Sequence, residues 1–152
     1  MRVISARSDG HSFEREVLGL AFDDVNPRMR NFRTHNFKEA IALVRGFQSD
    51  LGWNPVRPKT DLSRSIFRTV ASGLPTSEAF PLGLFSAIGT ELDLRWGVDC
   101  WFEFGDRLVT VDLTAGRFKR HFKADYVLSR YHFLTNKHFG VARSIARRLQ
   151  TN

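Results

Sequence analysis

The spacing of hydrophobic positions changes near residue 90, from a helical repeat to alternation. Before it, Phe37, Ala40, Ile41, Val44, Phe47 and Leu51 recur every three or four residues. Asn36 with Glu39 three positions on resembles a capping box, so the pattern predicts a helix from Asn36 that stops at Gly52. Leu62, Ile66, Phe67 and Val70 repeat the spacing between Asp61 and Gly73, which predicts a second helix with Arg64 and Arg68 on its exposed side. Pro55 and Pro58 mark residues 53–58 as a loop, because proline fixes φ and removes a backbone donor. A third segment opens at Thr76-Ser77-Glu78, and Pro81 and Gly83 reduce it to a broken helix ending at Gly89. Residues 1–35 show no clean period beyond the Asn26-Pro27 turn signal and the basic Arg28, Arg30 and Arg33.

From Thr90 on, Leu92, Leu94 and Trp96 alternate with Glu91, Asp93 and Arg95, which predicts a strand broken at Gly97. Residues 98–104 and 107–113 alternate as well and are rich in aromatic and β-branched side chains. The two-residue link Gly105-Asp106 suits a type II′ hairpin turn, in which glycine supplies the positive φ at the first central position. Pairing Phe104 with Arg107 sets Cys100 opposite Val111 and Asp99 opposite Asp112. One face then carries Asp99, Trp101, Glu103, Leu108, Thr110 and Asp112, and the other, with Cys100, Phe102, Phe104, Val109 and Val111, reads as the core side. Residues 124–129 predict a fourth strand. The chain closes in a basic amphipathic helix with Val141, Ile145 and Leu149 inward and Arg143, Arg147 and Arg148 elsewhere. Helices, then strands, then a helix predict an α+β fold: N-terminal helices, a mostly antiparallel or mixed sheet of about four strands, and a basic C-terminal helix, all in one domain over residues 1–152.

Charge sharpens this picture. The net charge is +7, yet residues 117–152 hold nine Lys and Arg against the single acid Asp125, or +8, and the first 116 residues hold 14 basic and 15 acidic side chains. Such a basic quarter reads as a surface for a polyanion, nucleic acid first and DNA ahead of RNA, with Lys119, Arg120, Lys123, Arg143, Arg147 and Arg148 as phosphate contacts. The bland alternatives are a solvated basic face or an anionic protein partner. No apolar run approaches the roughly 18 residues of a membrane span, and Arg2, Ser5, Arg7 and Asp9 stand where a signal peptide is apolar. A cytoplasmic protein is therefore the expectation, and a homodimer is left open. The one cysteine, Cys100, rules out an internal disulfide and a cysteine zinc site. The histidines His11, His35, His121, His132 and His138 lack the pair spacing of a helical zinc motif, and no serine-hydrolase or phosphate-loop glycine pattern occurs.

Directly opposed Cβ atoms in a sheet lie about 4.5–5.5 Å apart, where like charges repel. Asp99 and Asp112 therefore call for compensation: a hard divalent cation, a nearby Lys or Arg, or a raised pKa on one of them. A solvated pair at the strand ends, with Asp112 held by Arg95 or Arg117, is the structural alternative. Trp101 shares the acid face, where it reads either as a stacking platform for a base or as a half-buried sheet aromatic.

Gly97-Val98-Asp99, followed thirteen residues later by the second acid in Val111-Asp112-Leu113-Thr114, resembles the PD-(D/E)XK nuclease superfamily over roughly residues 90–129. The resemblance implies a hairpin that presents Asp99 and Asp112 to a magnesium ion, for metal-dependent hydrolysis of phosphodiester bonds in DNA. Where that pattern has a lysine two residues after the second acid, this chain has Thr114, so the resemblance implies that Thr114 holds the lysine's place and that Lys119 or Lys123 reaches in. The superfamily's helix glutamate has Glu78 and Glu91 as candidates, although Glu91 falls in the expected first strand. The superfamily also places a helix between its third and fourth strands, where this chain has the short, basic segment 115–123. These departures carry a second reading: a non-catalytic nucleic-acid-binding or interaction protein on a degenerate nuclease-like fold, an accessory factor of a phage or mobile element.

Overall fold

The structure is a computed structural model that describes residues 6–75, 80–116 and 122–151, and the side chains from residue 11 on. The described residues form an α+β fold of seven α-helices and one four-stranded mixed sheet. The helices are α1 (Ala6–Leu18), α2 (Phe22–Val25), α3 (Phe37–Gly46), α4 (Asp61–Ser72), α5 (Glu91–Trp96), α6 (Arg130–Leu134) and α7 (His138–Gln150). The strands β1 (Gly83–Ser86), β2 (Cys100–Phe104), β3 (Arg107–Thr114) and β4 (Tyr126–Ser129) lie side by side in chain order. β1, β2 and β3 run antiparallel to one another, and β4 runs parallel to β3.

The hairpin has the register its turn dictates. Phe104 pairs with Arg107, Trp101 with Thr110 and Cys100 with Val111. Gly105 takes the positive φ, 65°, and Asp106 does not, the combination a type II′ turn requires. α3 and α4 start at their polar caps: the Asn36 side chain accepts the Glu39 N–H at 2.9 Å, and Thr60 Oγ1 accepts that of Ser63 at 3.0 Å. α3 ends at Gly46, and the chain continues in turns to Gly52 instead of extending the helix.

Two elements differ from the sequence pattern. The expected strand over Leu92, Leu94 and Trp96 is helix α5, which buries Leu92 and leaves Leu94 53% exposed. Thr90 precedes it and Gly97, in the left-handed region at φ 64°, ends it, its N–H bonding the Asp93 carbonyl at 3.1 Å while the Val98 N–H bonds that of Leu92 at 3.0 Å. The expected broken helix before Gly89 instead contains β1, where Leu84 pairs with Phe102 and Phe85 with Trp101. Proline and glycine removed the helix, and two apolar side chains opposite an aromatic strand supplied the pairing. Residues 76–79 of that segment, Glu78 among them, lie outside the described residues.

Both faces of the sheet are covered. Phe102, Val109 and Val111 are buried on one side, and Trp101, Thr110 and Asp112 on the other, so the acid-bearing face is core as well. α1 and α7 lie against β3, and α4 packs on both. On the acid-bearing face, α3 sends Arg45 to Glu103, whose carboxylate also accepts the buried Trp101 indole N–H at 3.0 Å. Trp101 stacks on Phe85 with ring centres 5.0 Å apart and is fully buried, which makes it a core aromatic.

The outer edge of β1 is closed by side chain and loop. Gln48 donates to the Ser86 carbonyl at 2.8 Å and accepts its N–H at 3.0 Å. Leu84 donates its N–H to the Pro55 carbonyl at 2.9 Å and accepts the Trp53 indole N–H at 2.7 Å. No described helix is long and apolar enough to cross a membrane.

Candidate metal centre

Three segments converge at the start of β2. Asp99 is the residue before β2, Asp93 lies in α5 six positions earlier, and the left-handed Gly97 between them turns the chain back. Glu14 comes from α1, whose Phe13 and Val17 are buried in the core and fix the helix against the sheet. One ligand oxygen from each of Glu14, Asp93 and Asp99 lies within 4.8 Å of the others. Asp112 reaches the group from β3, close enough to Asp99 to push its pKa up.

Backbone donors hold two of these acids. Asp99 Oδ2 accepts the Leu113 N–H at 2.7 Å, and Asp93 Oδ2 accepts the Gly89 N–H at 3.0 Å. Asp99 is 2% exposed and Asp112 3%. Burial pushes the Asp99 carboxyl well above the usual carboxylate range, the charges of Asp93 and Glu14 and the hydrogen bond with Asp112 push the same way, and the Leu113 amide opposes them. Burial also raises Asp93, against the Gly89 amide, the hydrogen bond from Asp99 and the nearby His11. Four carboxyls thus crowd one buried spot, and Asp99 is the one whose charge the surroundings disfavour most. His11 Nδ1 lies 3.3 Å from Glu14 Oε2 at the rim.

Of the residues singled out in the sequence, Asp99 and Asp112 are brought together. Thr114, at the end of β3, accepts the Gly116 N–H at 3.3 Å, and the Lys123 ammonium donates to the Arg95 carbonyl at 3.1 Å. Arg95, considered as a partner for Asp112, bonds the Thr34 carbonyl at 3.0 Å and Glu91 at 3.3 Å. Glu91 is a buried structural acid: burial raises its pKa, but the Thr34 hydroxyl, the Arg95 guanidinium and the Thr34 amide outweigh this and hold it below the usual range. Arg143, Arg147 and Arg148 are exposed on α7, with Arg147 bonded to Ser144 at 2.9 Å and Arg148 to Asp125 at 2.9 Å. Lys119, Arg120, Arg117 and His121 lie outside the described residues.

Sequence reasoning missed Glu14 and Asp93. Phe13 and Val17 at a four-residue spacing were the available signal for α1, and Gly10 with Ser8 and Asp9 obscured it. Cys100 is buried, and burial, followed by the charges of Asp99 and Asp112, pushes its thiol well above the usual range, so it is an inert core residue. Comparison with protein-family models, curated proteins and solved structures gives no match.

Proposed function

We propose that the protein is a divalent-cation-dependent nuclease that hydrolyses phosphodiester bonds in DNA, with Glu14, Asp93, Asp99 and Asp112 as its acidic centre. The convergence of the first three within 4.8 Å carries this reading. The donor set is oxygen only, which fits a hard cation such as magnesium and not zinc. Bound there, magnesium supplies Lewis-acid polarisation of a phosphoryl oxygen and a water of lowered pKa.

The chain's own residues do the rest. The Leu113 and Gly89 amides hold one oxygen each of Asp99 and Asp93 in place, so the carboxyls that would ligate a cation are already oriented. His11 places its Nδ1 3.3 Å from Glu14 Oε2, beside the group. The exposed Arg143 and Arg147 on α7 offer phosphate contacts that position a backbone without reading sequence. A cytoplasmic setting fits the single buried thiol of Cys100.

A second reading is DNA binding without cleavage. It is favoured by the burial that disfavours the charged form of Asp99, and by the bonding of Thr114 and Lys123 to Gly116 and Arg95. Supercoiled plasmid incubated with magnesium or with EDTA separates the two. Nicking that needs magnesium and disappears in Asp99→Asn and Asp93→Asn supports the nuclease. Retention of plasmid in a gel shift with no nicking under either condition assigns the second reading.

A further inference from the structure

On the face of β3 that carries Asp112 lies a cavity of about 350 Å³ whose walls come from α3, α5, β3 and the segment before β4. Three of its lining residues are tied to the acids in sequence: Trp96 follows Asp93 by three on α5, Val98 precedes Asp99, and Thr110 lies two before Asp112. Thr110 and Asp112 point to one face of β3, so Thr110 in the cavity wall stands about 7 Å along the strand from Asp112. That is the order of separation between a phosphate and the base of its own nucleotide.

The lining is selective. Phe37 and Trp96 meet edge to face, ring centres 5.7 Å apart at 71°, and both are half-buried, so they form a wall with ring surface still accessible. Arg95 lies over one face of the indole at 4.3 Å and fixes its orientation. Val98 and Leu108 add apolar surface.

Most polar atoms there are already used. Asp125 Oδ2 accepts the Thr110 N–H at 2.9 Å and its hydroxyl at 3.1 Å, Oδ1 accepts Arg148, and Thr110 Oγ1 accepts the Asp125 N–H at 2.9 Å. Lys123 directs one of its three N–H donors to the Arg95 carbonyl and keeps two. An aromatic wall beside free ammonium donors suits a flat ring bearing carbonyl or ring-nitrogen acceptors. The volume, near the lower end of the ligand-pocket range of about 300–1,000 Å³, suits one nucleotide-sized group.

We infer that this cavity receives one unpaired nucleobase of a single-stranded DNA segment, stacked on the Phe37–Trp96 wall and hydrogen-bonded by Lys123. The inference rests on the phosphodiester reading for the identity of its ligand. A base within a duplex is paired and stacked on both sides and cannot enter, so the substrate is single-stranded, or has a base turned out of the helix, at the position being read.

A single-stranded oligonucleotide carrying 2-aminopurine, titrated in EDTA, tests it without cleavage. Binding should quench the probe, and Phe37→Ala or Trp96→Ala should weaken affinity by about 5- to 160-fold, the range for one stacked base. Trp96→Phe should restore most of it, and Lys123→Gln should weaken it several-fold without altering thermal unfolding. An abasic site in place of the probe should lose the same affinity as the aromatic deletions.

Unchanged quenching and affinity in Phe37→Ala and Lys123→Gln, both still folded, overturns the inference. A free 2-aminopurine nucleotide that binds as tightly as the strand overturns the assignment to a strand. Magnesium-dependent plasmid nicking decides the nuclease reading separately: nicking with indifferent cavity variants sinks only the cavity, and base binding without nicking sinks only the nuclease.

Discussion

Asp93 and Asp99 stand on either side of the left-handed Gly97 and bring a carboxyl oxygen each within 4.8 Å of the other. A helix end and a strand start thereby crowd two acids together, and burial pushes the Asp99 carboxyl well above its usual range. The consequences for proton binding are measurable.

The stability of the metal-free protein should fall as pH rises above the ordinary carboxylate range. With its pKa raised in the fold, Asp99 binds a proton in the folded state that the unfolded chain has already released, so the contribution is complete below the unfolded value and is lost as pH climbs to the folded one. Within that window the slope is about 1.4 kcal/mol per pH unit. Asp99→Asn should flatten it and raise the melting temperature at neutral pH, as followed by thermal unfolding in EDTA across a pH series.

Magnesium or manganese should reverse this penalty. Saturation at 100 times Kd stabilises by about 2.7 kcal/mol, and binding should release a proton and tighten as pH rises. Isothermal titration in buffers of different ionisation enthalpy counts the proton. Glu14→Gln and Asp93→Asn should each weaken the cation's thermal shift, and an unchanged shift in both removes the carboxylates from the site.

Two glycines should differ in cost. At Gly97 a Cβ meets nothing within 4 Å, so Gly97→Ala bears only the strain of φ 64°, about 1 kcal/mol. At Gly89 the φ of 81° is joined by a Cβ 2.5 Å from Asp23 Oδ1 and 2.9 Å from the Asp23 N, so Gly89→Ala should be clearly more destabilising, about 2–3 kcal/mol or more. Because the Gly89 amide holds Asp93, this variant should also weaken the cation's thermal shift, which Gly97→Ala should change less. Denaturant unfolding and metal titration of the pair check both points.

On α7, Arg143→Ala with Arg147→Ala should weaken DNA binding evenly across sequences and leave the folding stability within about 0.5 kcal/mol of wild type, since both side chains are exposed. The slope of log affinity against log salt should drop by about 0.9 for each phosphate no longer neutralised. Arg148→Ala should cost more stability than either, because its partner Asp125 also holds Thr110.

The hairpin was legible because turn and alternation agree: Gly105 fixes the register as far as Cys100 opposite Val111, and Asp99, just outside the ladder, turns its N–H to the Val111 carbonyl at 3.0 Å while still coming close to Asp112. α3, α4 and α7 were legible from apolar stripes longer than two turns. α5 was not, since in six residues Leu92, Leu94 and Trp96 satisfy period two as readily as a helix does, and only Thr90 and Gly97 decide between them. That misreading hid Asp93, which as a strand residue has no reason to meet Asp99. Glu14 was hidden for another cause: contact between α1 and the hairpin is long-range, and no local spacing records it.

The sealed margin of β1 bears on how copies of this chain meet. Strand addition needs a row of outward N–H and C=O groups, and at Leu84 and Ser86 all four are taken by Trp53, Pro55 and Gln48. A self-association that extends the sheet is blocked on that side, as is the templated stacking that starts many aggregates. Shortening Gln48 to alanine would expose Ser86 to such pairing, turning a protected border into an adhesive one.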